Sequence, residues 1–170
     1  MPQALNNLGS IARARRDLPA AIGWYRDVLA IAPDHLDALS NLGAVLVENG
    51  QADEAEAPLL RALRGYGPQP EVLCNLALVR IEQKRHGEAD ALLRDALKMR
   101  PGYSEAVMAL ARGLQERGQG DTARPLLTEA VAHAPQRAEL WSQLGALLLE
   151  LDDMPGAEQA FAQALKLDPR

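Results

Sequence analysis

Apolar and small residues recur along this chain three and four places apart, and the whole pattern repeats every 34 residues. One position of the pattern is always leucine: Leu8, Leu42, Leu76, Leu110 and Leu144. The residues three places before, one place after and four places after each leucine are mainly apolar or small. This is the i, i+3, i+4, i+7 spacing of one helix face, so it predicts an amphipathic helix at the start of every repeat.

A second apolar stripe follows the first in each repeat. Alanine recurs on the same period, with a large apolar residue four places after it: Ala21 and Tyr25, Ala55 and Leu59, Ala89 and Leu93, Ala123 and Leu127, Ala157 and Phe161. Turn signals such as Asn49-Gly50 separate the two stripes, and prolines such as Pro101 follow the second. The pattern therefore predicts two helices, joined by a short turn, in each repeat.

The period divides the chain into five units, 2–35, 36–69, 70–103, 104–137 and 138–170, and positions 1 to 34 are numbered within each unit. A fixed period of this length is typical of a solenoid. Small residues at positions 8 and 20 should let the two helices of a unit approach closely. Pro19 and Pro155 suit the first turn of a second helix. Pro58 and Pro125 fall inside second helices, where Pro58 should remove one backbone hydrogen bond. The segment 65–70, with two prolines, should form a locally different turn.

This pattern resembles the tetratricopeptide repeat, over essentially the whole chain. That family has an aromatic residue or leucine at positions 4 and 24, leucine at 7, glycine or alanine at 8, alanine at 20 and 27, and proline at 32. The fifth unit matches with Trp141, Leu144, Gly145, Ala157, Phe161, Ala164 and Pro169. The resemblance implies an all-α, right-handed α-solenoid, and a non-catalytic scaffold that binds an extended peptide segment of a partner in a concave groove. In the family, positions 2, 6, 9 and 13 of the first helix line this groove.

Asparagine occupies position 6 in the first three units, which confines a possible ladder to those units, and the fifth unit has glutamine there. These amide side chains are Asn7, Asn41, Asn75 and Gln143. A carboxamide offers a donor and an acceptor together, which matches a peptide unit. Similar asparagine ladders hold the peptide backbone in the repeat regions of O-linked N-acetylglucosamine transferases. Two other interpretations remain open: the copies retain an ancestral asparagine, or each amide bonds to a neighbouring helix.

Acidic residues form two further rows on the same face. Position 2 holds Asp37, Glu71, Glu105 and Glu139, and position 13 holds Glu48, Glu82, Glu116 and Glu150. Acids at a helix N-terminus complement its dipole, which explains the first row, but the second row lies near the C-terminal ends. The groove should therefore prefer basic or neutral extended segments. The expected peptide-binding residues are Asn7, Asn41, Asn75, Asp37, Glu71, Glu82, Glu105, Glu116, Glu139 and Gln143.

Composition excludes several other classes of function. The net charge is −5 and no basic run stands out, which argues against nucleic acid or an anionic membrane as the main partner. The three histidines have no metal-ligand spacing, no glycine-rich phosphate loop is present, and no catalytic triad or dyad can be assembled. We therefore expect no enzymatic activity, no cofactor and no metal in this chain.

The single cysteine, Cys74, rules out an intrachain disulfide and favours a reducing compartment, so we expect a cytoplasmic location. The last helix carries apolar residues that nothing after it in the sequence would cover. We expect a segment of a longer protein. Two alternative functions follow: the substrate-recruiting arm of a larger enzyme such as a glycosyltransferase, and a self-assembly module that joins copies through the uncapped ends of the array.

Overall fold

The computed structural model describes residues 1–169, and in that range it contains ten α-helices and no strand. The helices are α1 Pro2–Ala14, α2 Leu18–Ile31, α3 Leu36–Glu48, α4 Ala52–Tyr66, α5 Pro70–Glu82, α6 His86–Met99, α7 Ser104–Glu116, α8 Gly120–His133, α9 Ala138–Glu150 and α10 Met154–Leu167. The odd-numbered helices, here called first helices, begin 34 residues apart. The all-α prediction is confirmed.

The chain divides into two compact units, Met1–Leu92 and Leu93–Arg170, whose boundary falls inside α6. In the first unit, α1 packs on α2 and α3 on α4, while α1, α3 and α5 contact one another in sequence. In the second unit, α7 packs on α8 and α9 on α10, and α7 contacts α9. Each unit is therefore a layer of first helices packed against a layer of second helices.

Side-chain caps and prolines fix the starts of two second helices. Asp17 accepts a hydrogen bond from the backbone N–H of Ala20 at the start of α2, and Asp153 accepts one from Gly156 at the start of α10. These bonds satisfy backbone donors that have no partner within the helix. Pro19 and Pro155 lie in the first turns of the same two helices, as the sequence predicts.

The turn inside each repeat places position 15 in the left-handed backbone region. The φ angles are 63° at Arg16, 73° at Gly50, 60° at Lys84, 70° at Gly118 and 59° at Asp152. Only two of these five residues are glycine, the residue that adopts this region without steric cost. The turn is therefore imposed by the packing of the two helices it joins, and glycine merely makes it less strained.

In the first, second and fifth repeats, core contacts lie between the two helices of the repeat. Position 24 of the second helix presses on position 8 of the first: a Cβ added to Gly9 would lie 2.6 Å from the Tyr25 ring, and one added to Gly145 would lie 2.9 Å from Phe161. Gly43 is in the same relation to Leu59. The predicted close approach at position 8 is thus achieved by removing the side chain beneath the largest residue of the partner helix.

The apolar stripes are not buried everywhere, which corrects the sequence-based pattern. Leu8 in α1 is 42% exposed and Phe161 in α10 is 36% exposed, because each lies in a terminal helix pair with a neighbouring repeat on one side only. At position 11, where other repeats have alanine or leucine, the third has Arg80, and this arginine is buried. No helix in the described residues is both long enough and apolar enough to cross a membrane.

The predicted irregularities fall in α4 and α8. Pro58 lies inside α4 and Pro125 inside α8, and both helices continue past the proline. In the segment 65–70, α4 extends to Tyr66, and Gly67 adopts a φ of 75° before α5 begins at Pro70. At 15 residues, α4 is one residue longer than α2, α6, α8 and α10.

Candidate functional site

Most of the residues expected to bind peptide are exposed at positions 2, 6 and 13 of the first helices. We call positions 2, 6, 9 and 13 of these helices the first-helix face, and treat it separately in each compact unit. In the first unit Asn7, Asp37, Glu71 and Glu82 are exposed, while Asn41 and Asn75 are half-buried. In the second unit Glu105, Glu116 and Glu139 are exposed and Gln143 is half-buried.

Two of the four amides at position 6 bond to the preceding first helix. The Asn41 amide nitrogen donates to the side-chain oxygen of Asn6 over 3.3 Å, and Gln143 donates to the backbone carbonyl of Met108 over 3.1 Å. Both pairs are 35 residues apart, so they join the same places in successive repeats. These bonds match the interpretation in which position 6 links neighbouring helices. Each amide keeps a carbonyl oxygen that can accept another bond.

The other two asparagines of the row have different surroundings. Asn7 accepts a hydrogen bond from Gln3 of its own helix over 3.2 Å and is exposed. Asn75 is half-buried on α5. Asn6, at position 5, is buried and serves as the acceptor for Asn41. Asn6 is not among the residues expected from the sequence. Its one signal there is a polar side chain beside the position-6 row, in the first unit.

Position 13 shows the same linkage. Glu48 forms an ion pair with Arg13, and Glu150 accepts a hydrogen bond from Gln115 over 3.0 Å. These pairs are again 35 residues apart and join neighbouring first helices. For Glu82 the corresponding residue of the preceding repeat is Val47, which has no polar side chain. No hydrogen bond or ion pair reaches the Glu82 carboxylate among residues 1–169.

The acids of position 2 lie in the first turns of their helices. Asp37, Glu71, Glu105 and Glu139 all occupy that place in α3, α5, α7 and α9. There they interact favourably with the helix dipole. Glu105 also approaches Arg137 at 3.8 Å. Both residues are half exposed, so this ion pair contributes little to stability.

The first-helix face of the second unit also carries a cation that sequence reasoning passed over. Arg112 lies at position 9 of α7 and is exposed. It makes no ion pair or hydrogen bond in the part of the chain that the structure describes. The sequence does show this arginine, as the one charged residue at position 9: Ser10, Ala44, Leu78, Arg112 and Ala146. The first unit has the more uniformly negative face, because positions 2, 6, 9 and 13 of α1, α3 and α5 carry carboxylates and no cation.

A polar network around the buried Arg80 lies where α4 meets α5. The Arg80 guanidinium contacts Glu56 at 2.8 Å and donates to Gln83 over 2.8 Å, and Gln83 donates in turn to Glu56 over 2.9 Å. Glu88 also lies 3.3 Å from Arg80. The hydrogen bond from Arg80, followed by that from Gln83, lowers the pKa of Glu56 below its usual value. Every charge in this cluster has a partner within it, so its role is to join two repeats.

Ten helices arranged as helix-turn-helix pairs, with first helices starting every 34 residues, define a helical-repeat protein. Comparison with protein-family models then identifies the repeat. Three tetratricopeptide-repeat models match residues 1–67, 40–104 and 114–170. The chain is therefore built of tetratricopeptide repeats. A search of curated protein sequences found no match.

Several solved structures share this fold over almost the whole chain. TTC0263, a thermophilic tetratricopeptide-repeat protein of Thermus thermophilus, superposes with a TM-score of 0.84 at 22% identity, covering 100% of this chain and 93% of its own. PilF of Pseudomonas aeruginosa gives 0.85 at 20%, covering 99% and 77%. YrrB, described as having an unusual peptide-binding site, gives 0.66 at 19%, covering 97% and 85%. These similarities establish the fold.

Proposed function

We propose that this chain is a non-catalytic interaction scaffold whose first-helix face binds an extended, basic or neutral segment of a partner protein. The observation that carries the proposal is the set of exposed carboxylates on α3 and α5, of which Asp37 and Glu82 make no ion pair within residues 1–169. The structurally similar YrrB is described as a peptide-binding protein, which supports this class of ligand.

The spacing of the helices suits an extended ligand. Packed helices lie about 8–10 Å apart, while an extended chain advances about 3.3 Å per residue. One first helix would thus meet about every third residue of a bound segment. In the first compact unit we assign backbone contacts to Asn75 and to the remaining acceptor of Asn41, and charge selection to Asp37, Glu71 and Glu82. Asn7 would extend the row on α1.

In the second compact unit the same roles fall to Gln143, Glu105, Glu116 and Glu139. Arg112 makes this part of the face less negative, so it should tolerate neutral segments better than strongly basic ones. We therefore assign most of the selectivity for positive charge to the first unit.

Charge reversal on the first-helix face tests the proposal. The probe is a fluorescein-labelled peptide of alternating lysine and serine, and its binding is followed by fluorescence anisotropy. The variant Asp37→Lys with Glu82→Lys should bind about tenfold more weakly, because two attractive charges become repulsive. Binding to the parent chain should weaken as salt is raised, since exposed charges are screened.

The matched control carries the same change of net charge elsewhere. Asp27 on α2 and Glu158 on α10 are exposed and lie on second helices, so Asp27→Lys with Glu158→Lys should bind the probe like the parent chain. Equal weakening in both double variants would show that only net charge matters and would overturn the proposal. Melting temperatures establish that each variant is folded. Asn41→Ala is not a suitable test, because it also removes the bond to Asn6.

A further inference from the structure

A cleft lies at the junction of the third and fourth repeats, lined mainly by residues of the second helices α6 and α8 and of the loop before α7. It measures about 340 Å³, and its walls are formed by Leu97, Val107, Leu126 and Ala130 with the loop residues Pro101 and Gly102. Arg94, Lys98 and Glu129 stand at its rim. All of these residues belong to the second compact unit. The peptide-binding face proposed above uses none of them, so the following inference goes beyond that function.

At two other junctions, side chains of the chain itself bond to the backbone carbonyls of the corresponding loop. At the junction of the fourth and fifth repeats, the Trp141 indole N–H donates to the backbone carbonyl of Pro135 over 2.9 Å. At the junction of the first and second, Arg61 donates to the carbonyl of Pro33 over 2.6 Å, and the Tyr66 hydroxyl donates to the carbonyl of Asp34 over 2.8 Å. In both cases a large side chain of the chain itself reaches the carbonyl of the position-32 proline.

The third junction lacks both of these side chains. Position 4, which holds Trp141 in the fifth repeat, holds the much smaller Val107 in the fourth. Position 26, which holds Arg61 in the second repeat, holds Glu129, a residue without a side-chain donor at neutral pH. In the stretch that the structure describes, no side chain donates to the carbonyl of Pro101. The Pro101 carbonyl at the cleft therefore lacks the side-chain donor that the corresponding proline carbonyls have at the other two junctions.

The charges at the rim of the cleft favour a ligand that has an acidic residue next to the group bound in the cleft. Arg94 is exposed and makes no ion pair within residues 1–169. Lys98 is paired with Asp95 at 2.8 Å, and Glu129 on the opposite rim lies 3.5 Å from His133. Of the two basic residues at the rim, Arg94 is the one without a carboxylate partner within residues 1–169, and it can pair with a carboxylate of a ligand.

We propose that this cleft binds a tryptophan side chain of a partner protein, carried on a segment with an acidic residue beside the tryptophan. The indole would take the place that Trp141 occupies at the next junction, with its N–H on the Pro101 carbonyl and its rings on Leu97, Val107 and Leu126. A tryptophan supplies a large apolar surface, which suits the apolar walls of the cleft, and one donor, which suits the Pro101 carbonyl. The adjacent carboxylate would pair with Arg94.

The experiment uses the full chain, labelled with ¹⁵N, and a capped pentapeptide with the sequence serine, tryptophan, glutamate, glutamate, serine. Backbone amide shifts are followed during titration. Residues 97–107 and 126–130 should shift and saturate with a Kd of the order of 1 mM, as expected for a single anchoring side chain without preorganisation. A peptide with alanine in place of tryptophan should leave these amides unchanged. Equal shifts with the alanine peptide, or shifts confined to the first helices, would overturn the proposal.

Two variants separate the apolar part of the site from the charged part. Val107→Trp should fill the cleft as Trp141 fills its own junction, and should abolish the shifts. Arg94→Glu should weaken the glutamate peptide about fivefold and should improve binding of a peptide with lysine in place of glutamate. Lys166→Glu makes the same charge change at an exposed place on α10 of the same unit, outside both proposed sites, and it should bind like the parent chain.

Circular dichroism melting shows whether Val107→Trp is folded. If that variant does not fold, the alanine peptide and the exposed Arg94→Glu variant still decide the question. A folded Val107→Trp variant that binds the peptide normally contradicts the proposal. So does a loss of binding in Lys166→Glu as large as that in Arg94→Glu.

Discussion

At the scale of single residues, glycine at position 8 sets how closely the two helices of a repeat approach. Gly43 lies directly beneath Leu59, in the relation that Gly9 has to Tyr25 and Gly145 to Phe161. Helix propensity alone would favour alanine at these places. Glycine is present because the large side chain of the second helix occupies the volume that a methyl group would need.

We therefore expect Gly43→Ala to lower the free energy of unfolding by about 1–3 kcal/mol, the usual cost of overpacking a well-packed core. Gly23 provides the matched control, since it lies in α2 with nothing within 4 Å of an added Cβ. Gly23→Ala should raise stability by about 0.5–1 kcal/mol. Urea denaturation of both variants gives the two values. A Gly43→Ala variant as stable as the parent would show that Leu59 can move aside.

Position 15 shows that the backbone conformation of a single residue cannot always be predicted from its sequence. Gly50 and Gly118 signal the turn in the sequence, but Arg16 and Lys84 do not. All four adopt positive φ. A non-glycine residue in the left-handed region costs about 1–2 kcal/mol, so it persists only where the packed helices on both sides determine the turn. No local propensity could have predicted it at Arg16 or Lys84.

At the scale of the helix, the prolines divide according to their place. Pro155 lies in the first turn of α10, where no intrahelical bond is lost. Pro58 lies in the seventh place of α4, where it removes a backbone donor from the helix interior. The helix continues through Pro58 because its neighbours Ala55, Leu59 and Ala62 are fully buried, and their packing outweighs the lost bond.

Pro58→Ala should therefore stabilise the chain by about 1–3 kcal/mol, the upper end being the difference in helix propensity between the two residues. Pro155→Ala serves as the control and should change stability by less than about 0.5 kcal/mol. Thermal and urea denaturation measure both. Equal effects of the two substitutions would mean that the position of a proline in these helices does not matter, contrary to the structure.

At the scale of the whole molecule, bonds between neighbouring repeats recur at fixed places. The pairs Asn6–Asn41 and Arg13–Glu48 each join residues 35 apart on neighbouring first helices, and the Arg80 cluster joins α4 to α5. Solenoid stability is a sum of repeat and nearest-neighbour terms. These polar pairs therefore stabilise the junctions between repeats. They also occupy donors and acceptors that the sequence alone shows only as polar residues.

Removing one partner of the buried cluster should cost more than removing both. Glu56→Ala should destabilise by about 1–3 kcal/mol, because the Arg80 guanidinium, only 10% exposed, loses a charged hydrogen-bond partner. Adding Arg80→Leu should restore most of that loss, since position 11 is leucine in Leu46, Leu114 and Leu148. A double-mutant cycle by urea denaturation measures the coupling. A double variant less stable than Glu56→Ala would contradict this account.

The same cluster sets a pH dependence of known sign. Hydrogen bonds from Arg80 lower the pKa of Glu56 in the folded chain below the ordinary value of 4.5. The stabilisation that the ionised Glu56 provides is therefore complete above pH 4.5, and it is lost as the pH falls through the folded-state pKa of Glu56. The stability difference between the parent chain and Glu56→Gln should be constant near neutral pH and shrink below 4.5.

The sequence by itself determined the repeats, the helices and the close approach of two helices at position 8, because these follow from local periodicity and side-chain volume. It also placed Asp37, Glu71 and Glu82 on exposed positions of the first helices. Only the tertiary structure decided that Asn41, Gln143 and Glu48 bond across repeat junctions, that Arg80 is buried in a polar cluster, and that one junction keeps an open cleft. The physical reason is that such bonds join residues about one repeat apart. Their formation depends on which atoms meet after the helices have packed.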